Sequence, residues 1–160
     1  MSVAFVREES AEAAAQVDLP ERVISPHPNF VTRAGLDGIG SALAQARALY
    51  ETAQKIEDIN ERRRASEHAA RDVRYFSARI ASAQLMPEPA SHETVAFGSR
   101  VTFMRNDGRQ QSFKIVGEYE AEPAKSSISW VSPVARALMG KAVRDTVTLN
   151  GGELEISGIG

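Results

Sequence analysis

Cysteine is absent from the chain, which excludes disulfides, thiol catalysis and cysteine-ligated zinc. Histidine is scarce: His27, His68 and His92 are scattered, so a histidine-rich metal site is not expected. Neither sign of charge dominates. Nineteen basic and 21 acidic residues leave a formal charge of -2, which argues against a protein that coats bare DNA through bulk positive charge. No apolar run approaches the roughly 20 residues of a membrane helix. The opening residues MSVAFVREES turn acidic within the first ten, so no secretory signal is expected and a cytoplasmic protein without a membrane partner is the default. Proline is missing between Pro28 and Pro87, which leaves that stretch free to be helical. What remains is ordinary for a folded protein. The 160 residues are 25% charged and 42% hydrophobic, room for one compact domain or a small domain with an appendage.

Four regions follow from the pattern. Residues 1–31 carry Pro20, Pro26 and Pro28, which forbid a continuous helix and predict an irregular, partly mobile arm. Residues 32–85 carry two apolar seams. Leu36, Ile39, Leu43, Ala46, Tyr50 and Ala53 recur at spacings of three and four, as do Ala69, Val73, Phe76, Ile80 and Ala83. Both match one face of a helix in a coiled coil. Thr32 is placed to cap the first helix. The polar run ERRRASEH between the seams is read as the turn of an antiparallel hairpin, since a lone seam needs a partner; one uninterrupted helix is the competing reading. Residues 86–93, with Pro87 and Pro89, form a linker.

Residues 94–160 change period. Val95, Phe97, Val101, Phe103, Phe113, Ile115, Ile128, Trp130, Val143, Val147, Leu149, Leu154 and Ile156 alternate or nearly alternate with polar residues, which predicts short strands. Asn106-Asp107-Gly108 and Asn150-Gly151-Gly152 are hairpin turn signals. One helix is expected between Ser132 as N-cap, with Pro133 as its first residue, and Gly140 as its stop. The fold class is α+β: a helical hairpin followed by a small antiparallel sheet domain with one helix.

VAFGSRVTF at 95–103, FKIVGEYEAE at 113–122, ISWVSPVARALMGKAVRD at 128–145 and GGELEI at 151–156 stand in fixed order. Together they resemble the FGxxV, RIVGxDEA, ISxxSPxARALxGKxxGD and closing-hairpin blocks of the Gre family of bacterial transcription elongation factors. TRAGLDGIGSAL at 32–43 and DVRYFSARI at 72–80 extend the resemblance into the hairpin, to about 130 of the 160 residues. It implies an N-terminal coiled coil followed by an FKBP-like domain in a monomer. It implies RNA polymerase as partner, with the globular domain docked at the rim of the secondary channel and the coiled coil inserted toward the active site. Two acidic residues at the tip would then help the polymerase hold its own Mg2+ while the polymerase cuts backtracked RNA near the nascent 3′ end. No cofactor of the protein's own and no free-standing enzymatic activity are implied.

Asp58 and Glu61 supply the tip's Asp-x-x-Glu, although Asn60 precedes the glutamate where the family has an asparagine after it. Carboxylates at i and i+3 share a helix face and suit a hard cation. A solvated, salt-bridged helix face is the plainer reading of the same residues. About eight residues fewer than in the family separate the TxxG block from the tip, a helix shorter by about 12 Å. That favours a short-armed, non-cleaving channel regulator of the Rnk type as the alternative. Arg62, Arg63 and Arg64, with Arg71 and Arg74, form a basic cluster suited to RNA phosphate or to an acidic channel wall. Ser132, Arg136 and Lys141 are the residues for polymerase docking that the resemblance implies. Phe97, Phe103, Phe113, Tyr119 and Trp130 are expected in the core; a prolyl-isomerase or chaperone pocket among them is the rival from another class.

Overall fold

The computed structural model describes residues 19–160. These form two compact units, one drawn from residues 19–25 and 39–81 and the other from 26–38 and 82–160. Residues 1–18 of the expected arm lie outside the described residues. The described remainder is not a free arm. Phe30–Val31 form strand β1, which pairs in parallel with β2, Gln84–Leu85. Asn29 O accepts from Gln84 N at 2.8 Å and Val31 O from Met86 N at 2.9 Å. These bonds give the backbone carbonyls of Asn29 and Val31 their partners.

Helix α1 covers Arg33–Ala53 and helix α2 covers Ile59–Ser82, which excludes the single-helix reading. Ile39, Leu43, Ala46 and Ala53 of the first seam are buried, as are Ala69 and Phe76 of the second, whereas Tyr50 is 40% exposed. The turn is not ERRRASEH. It lies at residues 54–58, where Lys55 N bonds Thr52 O and Ile56 N bonds Ala53 O, each at 3.1 Å. The run, residues 61–68, lies within α2, which opens at Ile59. It has no large apolar residue because most of it is exposed, and Glu, Arg and Ala are good helix formers that stay helical without one. Gln54 Nε2 donates to Ser66 Oγ at 2.8 Å and ties the two arms just behind the turn.

The second unit carries β3 (Arg100–Arg105), β4 (Gln110–Val116), β5 (Ser127–Ser129), α3 (Pro133–Leu138), β6 (Thr146–Leu149) and β7 (Gly152–Ile159). The spatial order is β5-β4-β3-β7-β6. Three pairings are antiparallel as expected, but β4 and β5 run parallel, Lys114–Val116 beside Ser127–Ser129, so the sheet is mixed. Val101, Phe103, Ile115, Leu154 and Ile156 point to one face and bury against Ala135 and Leu138 of α3. Phe103 and Phe113 stack at 6.1 Å between centroids. Asn150 and Gly151 both take positive φ, 51° and 76°, the type I′ geometry that matches strand twist. Ser132 Oγ accepts from Ala135 N, and Pro133 follows it. Val95 and Phe97, expected on a strand, lie before β3 and are buried there without joining the ladder. Val143, 43% exposed, also lies outside any strand.

The Asn150-Gly151 turn carries a test. Gly151→Ala must hold a Cβ at φ 76°, which costs about 1 kcal/mol. A denaturation midpoint unchanged from wild type would mean the turn relaxes to another type.

Candidate functional site at the hairpin tip

Asp58 is the last residue before α2. Its Oδ1 accepts the Glu61 backbone N–H at 2.7 Å, and its carbonyl accepts Arg62 N at 2.8 Å. Asp58 is therefore the N-cap of α2, and Glu61 stands at the third helical position, the spacing of a capping box. Glu61 is the acidic residue of that first turn, where the helix dipole favours negative charge. The two carboxylates predicted from spacing are brought together at the tip, and both residues are exposed. Asp58 Oδ1 is committed to the helix cap, and the side chains of both residues remain on the exposed surface of the tip. Among the described residues no three His, Cys, Asp or Glu converge as a metal site. A pair of exposed carboxylates can complete a cation's shell on another protein but is too few to hold Mg2+ alone.

The basic cluster divides. Arg62 is half-buried and its Nη1 donates to Ile56 O at 3.2 Å, so part of its guanidinium is spent on closing the turn. Arg63 and Arg64 are exposed. Arg71 lies 3.5 Å from Asp72, and Arg74 is bound by Glu21. The Glu21 contact was not legible from sequence, because it joins residues 53 apart. Arg22 lies beside it, its guanidinium 3.9 Å from the Tyr75 ring centroid and 3.2 Å from Asp72 Oδ1. The Arg74 hydrogen bond holds the Glu21 carboxyl below the ordinary glutamate range, against a smaller opposing effect of desolvation. A carboxyl lowered in the folded state stabilises above the ordinary range, and that contribution is lost as pH falls through the lowered value.

At the start of α1, Thr32 is the N-cap as expected: its Oγ1 accepts Gly35 N at 3.0 Å. Helix α1 has no acidic residue in its first turn. Glu120, from the loop after β4, takes that place. It accepts Thr32 N at 3.1 Å and Thr32 Oγ1 at 2.5 Å, charge-assisted bonds at a helix N-terminus. The site explains two glycines of the family-like blocks. A Cβ on Gly35 would overlap the Glu120 carboxylate, and one on Gly117 would overlap the Phe30 carbonyl oxygen.

Of the residues implied for docking, Ser132 spends its hydroxyl on the α3 cap, whereas Arg136 and Lys141 are exposed. Phe97 and Trp130 of the expected core aromatics pack with Phe30, which meets Trp130 at 4.9 Å and Phe97 at 6.1 Å between centroids. No helix among the described residues is long and apolar enough to cross a membrane.

Residues 90–157 match the family model described as transcription elongation factor, GreA/GreB, C-term. GreB of Haemophilus ducreyi is 33% identical over 135 residues, covering 74% of this chain and 83% of that protein. GreB of Neisseria meningitidis is 39% identical over 82 residues, and there the chain spans 50% of the relative's length. GreA of Helicobacter pylori is 38% identical over 92 residues, 51% of this chain and 56% of that one.

Proposed function

The chain belongs to the GreA/GreB family of transcription elongation factors, and on that premise we propose that it binds RNA polymerase and regulates elongation by placing its helical hairpin in the secondary channel. The observation that carries this reading is the tip itself. An arm of 21 residues leads out and one of 24 leads back, roughly 30–36 Å of helix at 1.5 Å per residue. At its far end stand two exposed carboxylates and, beyond them, Arg63 and Arg64. Exposed Arg136 and Lys141 of the sheet unit are the candidate polymerase contacts.

Two versions differ in what the tip does. In the first, Asp58 Oδ2 and the Glu61 carboxylate add oxygen ligands to the polymerase's Mg2+, and the polymerase performs the cleavage. In the second, the arm is too short by about 12 Å and the hairpin only occupies the channel. The commitment of Asp58 Oδ1 to the α2 cap and the shortened reach favour the second. In neither version is the chain itself the enzyme.

A transcript-cleavage assay on backtracked complexes separates them. The second version expects no stimulation by the wild type, and competition with a longer-armed Gre factor. The first expects stimulation that collapses in Asp58→Asn/Glu61→Gln, while retention on polymerase is unchanged. Losing the Asp58 cap weakens the helix by only about 0.5–2 kcal/mol, and Asn is itself a good cap. Robust cleavage that survives the double substitution would overturn both, and so would failure of the full chain to be retained on polymerase at low salt, where surface charge is least screened.

A further inference from the structure

We propose that the Glu21–Arg22 segment is an autoinhibitory strap: Glu21 occupies, on the outer face of α2, an arginine site suited to the phosphate of a single-stranded nucleic acid. The proposal rests on the reading of that face as nucleic-acid-facing. At 3.6 residues per turn, Arg63, Arg64, Arg71 and Arg74 fall within about 100° of arc, opposite the buried Ala69 and Phe76. Among the described residues no carboxylate pairs with Arg63 or Arg64. Arg74 is occupied. Its Nε lies 3.1 and 3.2 Å from the two Glu21 oxygens and its Nη2 lies 2.5 Å from Oε1. That fork is the geometry with which arginine takes a phosphate. The carboxylate therefore stands where a phosphodiester oxygen would sit.

Two features make the strap displaceable. The Glu21 and Arg74 side chains are 61% and 52% exposed, and exposed pairs of this kind hold weakly. Glu21 also comes from outside the helix, whereas Glu67, the other acidic group acting on Arg74, belongs to α2 and cannot leave. Arg22 is what keeps Glu21 in place, held by Asp72 and stacked on Tyr75. A polyanion contacting Arg63, Arg64 and Arg74 together gains more than one charge pair and can displace a single carboxylate.

The test is fluorescence anisotropy with a labelled single-stranded RNA and a DNA of the same sequence, using the full chain at low salt. Glu21→Gln is expected to tighten binding about threefold to fivefold. Glu153→Gln, the same charge change on β7, is the control for simple loss of a negative charge and should have less effect. Adding Arg74→Gln to Glu21→Gln should abolish the gain. A gain with RNA and DNA alike identifies the phosphate backbone as ligand, and a gain with RNA alone adds the 2′-hydroxyl; both support the strap. The proposal is overturned if Glu21→Gln matches Glu153→Gln, if the gain survives loss of Arg74, or if neither oligonucleotide binds any variant. It is also overturned if Glu21→Gln strengthens only retention on polymerase, which would make the face a protein contact. Polymerase retention of the wild type, measured in parallel, judges the proposed function separately.

Discussion

Phe76→Ala is expected to destabilise the helical hairpin by about 3–5 kcal/mol, the usual cost of truncating a buried phenylalanine. Phe76 is 8% exposed. Its ring meets Tyr75 edge-on at 5.2 Å between centroids, and the Arg22 guanidinium lies 5.0 Å from its centroid. Truncation removes the largest buried side chain of α2, since its other buried residues are Ala69 and Arg79. The small alanines around the seam cannot expand into the space, so most of the cavity persists. Denaturation followed by helical circular dichroism measures the loss. A change below about 1 kcal/mol would mean that the arms close over the void, and the seam would then not be what holds the hairpin.

The second large effect is a reversal of sign at the root of α1. Glu120→Ala removes the acceptor of Thr32 N and Oγ1, and hydrogen bonds to a charged group contribute about 1.5–3 kcal/mol each; because Glu120 is only half-buried, a total loss at the low end of that sum, about 3 kcal/mol, is expected. Gly35→Ala ordinarily favours a helix by about 1 kcal/mol. Here the new methyl would overlap the Glu120 carboxylate and expel it from the cap, so the wild-type background should be destabilised. In the Glu120→Ala background the clash is gone and the same Gly35→Ala should stabilise by about 1 kcal/mol. The double-mutant cycle reads the coupling directly. Additive effects would show that the carboxylate swings aside without losing its bonds.

Part of the site was legible early because it is built from local rules. Asp58 and Glu61 were found by an i, i+3 spacing that serves equally for a shared helix face and for a capping box, and only the 2.7 Å bond from Glu61 N to Asp58 decided that the cap is real. Arg62 adjoins Arg63 and Arg64 in the sequence, yet successive residues on a helix point about 100° apart. One of the three turns back to the Ile56 carbonyl while its neighbours face solvent. The turn lies earlier in the chain than the polar run suggests for a related reason: a polar run is compatible with an exposed helix as much as with a loop, and periodicity is silent where nothing is buried.

What the sequence determined by itself were features whose partners lie within a few residues. These are the two amphipathic arms, the caps at Thr32 and Ser132, the Asn150-Gly151 turn and the alternating core of the sheet. What only the tertiary structure decided joins residues far apart. Residues 26–38 go with the sheet unit, β5 lies parallel to β4, Glu120 caps a helix 88 residues upstream, and Glu21 closes on Arg74 across 53. The cost of closing such loops rises only slowly with their length, so many distant pairings are nearly equal in entropy. Choosing among them falls to packing and charge complementarity in the assembled fold, which no local pattern encodes.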